Sequence, residues 1–292
     1  MDKVAANRLI TNTFDYPFDI GRYKLLSRNI FKDFEEGTVF TREGNDHIPE
    51  VFRSNIKKYT RLGEYNDTNG KEIDILIVYL NEGLGLDRAR TLQRNFISNY
   101  LDDLGKDAAL VAFATSDSED WRFSLITIEY KTIKDETGII TTKKFLSNAK
   151  RFSFLVGKNE ANHTAQQQII PLLVNPNSPS IKELENAFSV EKVTNEFYQD
   201  YKKRFLELGY EITRILDSDE KVKKDFLKQN INTDNFAKKL MGQIVFLYFV
   251  QKKGWLGITK DVEGNFVKWG EGDKKFMRSL FEKKFCVYDN FF

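Results

Sequence analysis

The pattern of apolar and polar residues changes near residue 180, and it predicts an α/β region followed by a helical region. Two uninterrupted apolar runs, residues 73–80 (IDILIVYL) and 108–114 (AALVAFA), predict buried strands. Between them, apolar residues at helical spacing predict a helix over 87–101, which Asp87 can cap. Alternation over 121–130 predicts a strand with one solvated face, and the polar residues 134–138 predict a hairpin loop.

A joint rich in Pro, Ser and Asn at residues 175–180 precedes a series of predicted helices. Ser189 can cap a long amphipathic helix, and residues 217–233 form a polar loop with a short helix. Asp234 can cap the next helix, which carries the apolar run 244–250 (IVFLYFV). Because a membrane span needs about 20 apolar residues, this run predicts a helix buried in a protein core. A final helix is predicted over 274–284.

Composition excludes several classes of protein. The 292 residues are 41% hydrophobic and 30% charged, which predicts a folded chain with a sizeable core. One cysteine, Cys286, and two histidines, His47 and His163, exclude a disulfide scaffold and a His/Cys-rich metal cluster. The single cysteine is typical of a reducing, cytoplasmic environment. The chain has no phosphate-binding loop, dinucleotide fingerprint or GxSxG elbow.

Charge is distributed unevenly along the chain. The formal net charge is only +2, yet residues 1–142 hold 19 Lys+Arg against 24 Asp+Glu. Residues 143–292 hold 26 Lys+Arg against 19 Asp+Glu. A basic half beside an acidic half indicates a polyanionic partner such as double-stranded DNA. The same lysines are also explained by solubilisation of helical faces.

One constellation has the chemistry of metal-dependent DNA cleavage. Glu129 and Lys131 form an E-x-K triplet on a predicted strand, and Asp120 lies nine residues upstream of Glu129. Asp120 and Glu129 are the predicted Mg²⁺ ligands, and Lys131 would activate water or stabilise phosphate charge. Strand alternation places Glu129 and Lys131 on one face. A solvated strand face explains the triplet as well, and Asp74 is a further candidate carboxylate.

Three arginines on the first predicted helix are candidates for contacting DNA phosphates. They are Arg88, Arg90 and Arg94, of which Arg90 and Arg94 share a helix face because they are four residues apart. Guanidinium groups bind phosphate well. The same three groups can equally pair with aspartates of that helix.

Several stretches taken together resemble the N-terminal region of bifunctional type IIG restriction-modification enzymes, which carry an adenine-specific DNA methyltransferase as their central module. The stretches follow one another over roughly residues 60–285, and the last two are the most specific. They are residues 88–96 (RARTLQRNF), 108–113 (AALVAF) with 120–124 (DWRFS), 151–157 (RFSFLVG), 163–167 (HTAQQ), 188–198 (FSVEKVTNEFY) and 242–255 (GQIVFLYFVQKKGW).

The resemblance implies a nuclease-like α/β domain, then a helical connector, then the methyltransferase. The Asn-Pro-Pro-aromatic motif and the glycine motif of that last module are absent, and the nearest string is NPN at residues 175–177. The chain ends in CVYDNFF. We therefore expect the N-terminal piece of a longer enzyme, which does not methylate DNA alone. S-adenosylmethionine would enter only through the absent methyltransferase domain.

The expected fold class is α/β (α+β). We predict a nuclease-like domain of the PD-(D/E)xK kind over residues 1–150, active or degenerate. A linker is predicted over 151–180 and an α-helical connector over 181–292. At residues 79–81 (YLN), the strand 73–80 ends without the acid and lysine of an E-x-K triplet. The catalytic triplet therefore falls to Asp120, Glu129 and Lys131, unless the domain is degenerate.

Two hypotheses about function remain. In the first, the chain belongs to a phage-defence enzyme that recognises foreign DNA and cleaves phosphodiester bonds with Mg²⁺. In the second, it is a non-catalytic connector that docks the methyltransferase and positions DNA. The long helix after Ser189 and the apolar helix around Val245 would then dock against the methyltransferase, and the separated connector would expose a large apolar patch. A small-molecule enzyme is disfavoured because no cofactor motif supports it.

Overall fold

A six-stranded mixed sheet organises the N-terminal part of the chain. The structure is a computed structural model that describes residues 1–83, 86, 90–128, 130–134, 140–144, 149–260, 263–265, 270 and 272–282. Residue contacts divide the chain into two units, Met1–Val193 and Thr194–Phe292. The architecture is therefore mixed α/β, as predicted from the sequence.

The sheet contains strands in the order β1, β2, β3, β4, β5, β8. Neighbouring strands are antiparallel except β3 and β4, which are parallel and are connected through helix α4. The strands are β1 (Phe40–Glu43), β2 (Ile56–Asn66), β3 (Glu72–Leu80), β4 (Ala108–Ala114), β5 (Asp120–Thr127) and β8 (Lys150–Gly157). Strands β6 (Tyr130–Lys134) and β7 (Ile140–Lys144) pair with each other in a separate two-stranded sheet.

Helices cover both faces of the large sheet. On one face, α1 (Lys3–Phe14), α2 (Ile20–Ile30) and α5 (His163–Val174) contribute to one apolar cluster. On the other face, α3 (Glu50–Arg53) and α4 (Arg90–Leu104) contribute to a second. The first unit also contains α6 (Ile181–Ala187), which begins with a capping box formed by Ser180 and Glu183.

The predicted strands over 73–80 and 108–114 are confirmed as β3 and β4. The predicted hairpin is confirmed as the β6–β7 pair, although its loop residues 135–139 lie outside the described residues. The helix predicted over 87–101 is α4, which runs to Leu104; the proposed cap Asp87 also lies outside the described part.

The prediction of one solvated face on the strand after β4 is wrong. All eight residues of β5 are buried. Trp121, Phe123 and Leu125 belong to one apolar cluster, and Ile126 belongs to the other. The reason is that β8 pairs with the outer side of β5, so that β5 becomes an interior strand with helices on both faces.

Residues 151–180, for which we predicted a linker, contain most of β8 and all of α5. The side chains of Ile169 and Leu173 on α5 are completely buried in the first apolar cluster. This segment is therefore part of the α/β unit. The RFSFLVG stretch lies in β8, and the HTAQQ stretch begins α5. Their polar residues favoured a linker, although the apolar residues of α5 pack on the sheet.

The second unit is helical. It includes most of α7 (Val190–Ser218), together with α8 (Glu220–Lys228), α9 (Thr233–Lys252) and α10 (Phe276–Phe281). The long helix and the short helix after it are confirmed. The cap of α9 is Asn232, whose side chain accepts the N–H of Asn235, rather than Asp234. No described helix is long and apolar enough to cross a membrane.

Candidate functional site

Asp120, the first predicted Mg²⁺ ligand, is engaged in the junction between β5 and β8. Its Oδ1 accepts a hydrogen bond from the backbone N–H of Asn159 at 2.9 Å. In the antiparallel register of β5 and β8, Asp120 lies opposite Gly157. Gly157 has φ +142°, and a Cβ there would lie 2.4 Å from the Asp120 Cα. The carboxylate therefore helps to fix a close approach of two backbones at the edge of the sheet.

Of the other two residues of the predicted triplet, the structure describes only the backbone of Lys131. Glu129 lies outside the described residues, and Lys131 lies in β6 of the separate hairpin. Asp120 begins β5, whereas β6 follows the opposite end of β5, about 23 Å away at the usual rise per residue. Over the described residues, no group of three or more His, Cys, Asp or Glu side chains is arranged to hold a metal ion. A Mg²⁺ site that uses Asp120 and Glu129 stays a prediction, because Glu129 is not among the described residues.

Two of the three predicted phosphate-binding arginines, Arg90 and Arg94, lie on α4. Arg88 lies outside the described residues, and Arg90 begins α4 with an exposed side chain. The carbonyl of Arg90 accepts a hydrogen bond from Arg151 at 2.8 Å. Arg94 is half-buried and donates to the Asn95 amide oxygen at 3.2 and 3.3 Å. Their contact with DNA stays a prediction.

Asp74, the further candidate carboxylate, is completely buried on β3. The Arg61 guanidinium on β2 donates to both of its oxygens, at 2.9 and 3.0 Å. The Tyr100 hydroxyl on α4 donates to it at 2.6 Å. Hydrogen bonding by Asp74 raises the pKa of Arg61, and burial raises the pKa of Tyr100. Both shifts keep the hydrogen-bond donors protonated.

Two further carboxylates, those of Glu64 and Glu72, lie close to the Arg61–Asp74 ion pair. Glu64 accepts from Arg61 at 2.6 Å and from Lys106 at 2.8 Å, and Lys106 also contacts Glu72 at 2.7 Å. The hydrogen bond from Lys106 is the main cause that lowers the pKa of Glu64. These acids are thus neutralised by internal cations, which makes the cluster a structural connection between β2, β3 and α4. The sequence analysis did not predict this cluster, because Arg61 and Glu64 lie in β2, a strand without a continuous apolar run.

The middle of α9 exposes a continuous apolar surface to solvent. The apolar run 244–250, which we predicted to be buried, is exposed over residues 244–249. The exposed fraction reaches 63% for Phe246 and 55% for Phe249. We refer to residues 239–249 as the α9 surface. An apolar helix of this kind is normally enclosed by other protein segments.

Two open grooves run along this surface. One, of about 510 Å³, lies where the chain turns from α8 into α9 and is bounded by Asn230, Phe236 and Lys239 among others. The second, of about 530 Å³, is lined by Lys239, Gly242, Gln243, Phe246 and Leu247. Lys239 and Gln243 border both. A Cβ placed on Gly242 would meet no described atom within 4 Å, so the space beside this glycine is open, and we refer to it as the recess.

Comparisons with known proteins give no family for this chain: no family profile, curated protein or solved structure matches it.

Proposed function

We propose that this chain is the docking and DNA-positioning part of a restriction-modification enzyme, and that its helical unit binds an adenine-specific DNA methyltransferase. The observation that carries the proposal is the exposed apolar segment 244–249 of α9. An architectural role for the α/β unit agrees with the engagement of Asp120 and Asp74 in internal hydrogen bonds.

Apolar side chains of α9 remain exposed to water. Burying a large apolar side chain stabilises a protein or complex by about 1.5–3 kcal/mol. Six consecutive residues with exposed apolar side chains, from Ile244 to Phe249, therefore represent a large gain that the chain does not realise alone. A partner that encloses them would realise it, after the cost of association is met.

The identity of the partner comes from the resemblance to type IIG enzymes. The α9 surface lies within the 242–255 stretch that carries much of that resemblance. The partner would bind S-adenosylmethionine and methylate adenine. The basic second half of the chain would attract double-stranded DNA toward the assembly through its phosphates.

Mg²⁺-dependent cleavage by Asp120, Glu129 and Lys131 stays the rival hypothesis. It requires Asp120 to coordinate metal although one of its oxygens accepts a backbone N–H. It also requires Glu129, nine residues further along the chain, to reach the same metal ion. The docking function needs neither condition.

The test measures binding between this chain and a separately produced adenine-specific methyltransferase domain of the type IIG kind. We expect a one-to-one complex by native mass spectrometry and calorimetry. The double change Val245→Ser and Phe246→Ser should weaken it by at least about 2 kcal/mol, or roughly thirtyfold, because both side chains are central to the α9 surface. Val51→Ser is the control, since Val51 is 72% exposed but lies on α3 of the other unit. Unchanged binding by the double variant would exclude this surface.

A further inference from the structure

We infer that the partner of the α9 surface is a different protein surface with an apolar centre and a rim of carboxylates, and that it packs closely against Gly242. The inference rests on the proposed docking function and specifies the chemistry of the partner. It follows from the charges at the two ends of the apolar segment and from the shape of the helix between them.

Both ends of the apolar segment are positive. Lys238 and Lys239 precede it and are exposed, and Lys253 follows it at the C-terminal cap of α9. Asp234 is the acid of the first turn. The Lys253 ammonium lies 5.7 Å from the centre of the Phe249 ring, so this charge sits directly beside the apolar surface. Carboxylates placed opposite these groups would complete the interface.

The same charges argue against a second copy of this chain. If two α9 helices packed in parallel, Lys239 would face Lys239 and Lys253 would face Lys253. If they packed antiparallel, Lys239 would face Lys253. Either arrangement brings like charges together at both ends of a desolvated contact, which costs affinity. A partner with acids at both ends avoids this cost in either direction.

Gly242 indicates how near the partner comes. A glycine inside a helix lowers helix stability, and no atom of the described residues lies within 4 Å of the position that a Cβ would take there. The recess opens into the groove lined by Lys239, Gln243, Phe246 and Leu247. A bulky apolar side chain of the partner fits such a recess, with Phe246 packed beside it.

The experiment uses a charge-reversed form of the chain as the acidic-rimmed probe. The triple variant Lys238→Glu, Lys239→Glu, Lys253→Glu keeps the apolar centre and reverses the rim. Wild type and triple variant are examined separately and as an equimolar mixture by native mass spectrometry and sedimentation at low salt. We expect each protein alone to be monomeric and the mixture to form a one-to-one complex, at least about tenfold tighter than either self-association. Added salt should weaken that complex.

Two matched changes check that the complex uses α9. Phe246→Ser in both proteins should abolish it, and Gly242→Leu should weaken it by filling the recess. Circular dichroism confirms that each variant remains helical. Tight dimerisation of the wild type that Phe246→Ser removes would overturn the inference in favour of a second copy. A mixture that stays monomeric would contradict the inference that the partner carries carboxylates around its apolar centre. Neither result decides whether the methyltransferase binds, which the calorimetric test measures separately.

Discussion

Asp74 shows how one buried residue can determine whether a carboxylate is available for chemistry. It has no exposure to solvent, and its oxygens accept hydrogen bonds from Arg61 and Tyr100. In a low-dielectric interior, such a charge is tolerated only while its partners remain. The Arg61 side chain is itself 8% exposed, so the pair is shielded from water on both sides. Stability, rather than catalysis, is the role that this geometry supports.

Replacement of Arg61 should therefore lower the stability of the folded protein. We expect Arg61→Met to lower the free energy of unfolding by about 3–5 kcal/mol, because Asp74 is left as an uncompensated buried charge. Urea denaturation followed by fluorescence measures the change. The added change Asp74→Asn should recover part of the loss.

The surface pair Lys158–Glu119 provides the matched comparison for this prediction. It has a similar distance of 2.7 Å, but its side chains are 57% and 48% exposed. Lys158→Met should cost no more than about 1 kcal/mol. Equal effects of Lys158→Met and Arg61→Met would contradict the distinction between the buried and exposed pairs.

At the scale of whole elements, a comparison of α9 with α7 distinguishes the intrinsic stability of a helix from its role in docking. Gly242 in α9 and Gly209 in α7 both lie inside helices, and a Cβ on either would meet no atom within 4 Å. We expect Gly242→Ala and Gly209→Ala each to stabilise its helix by about 1 kcal/mol, as measured by thermal unfolding followed by circular dichroism.

Of these two changes, only Gly242→Ala should alter the affinity for the partner. Gly242→Ala fills part of the recess beside Phe246, so it should weaken binding to the methyltransferase, whereas Gly209→Ala should leave binding unchanged. Calorimetry on the two variants measures this difference. A loss of affinity in both, or in neither, would show that the partner does not approach Gly242 closely.

The same elements show which features a sequence can predict. Strands β3 and β4 were predictable because their apolar runs are continuous, as expected for interior strands. Strand β2 was missed because Lys57, Arg61 and Glu64 interrupt its pattern. The apolar pattern alone could not decide whether α9 is buried or exposed, because such a helix has the same sequence in a domain core and in a docking surface. The difference depends on which segments pack around it. Only the connector hypothesis predicted an exposed patch around Val245.

At the scale of the whole molecule, the two hypotheses about function differ in whether the chain has a metal site. The predicted Mg²⁺ site needs Asp120 and Glu129 to meet, yet Asp120 begins β5 and pairs with Gly157 at that end. Its carboxylate also stabilises the close approach of β5 and β8 through Asn159. Coordination of Mg²⁺ by Asp120 would compete with this contact.

We therefore expect a calorimetric titration of the intact chain with Mg²⁺, and separately with Mn²⁺, to show no binding that depends on these carboxylates. Asp120→Asn and Glu129→Ala should give the same heats as the wild type. Asp120→Asn should instead lower thermal stability, because the hydrogen bond to the Asn159 N–H loses its charged acceptor. The titration is repeated with duplex DNA present, since phosphate oxygens can complete a metal site. Metal binding that disappears in both variants would instead support the nuclease hypothesis.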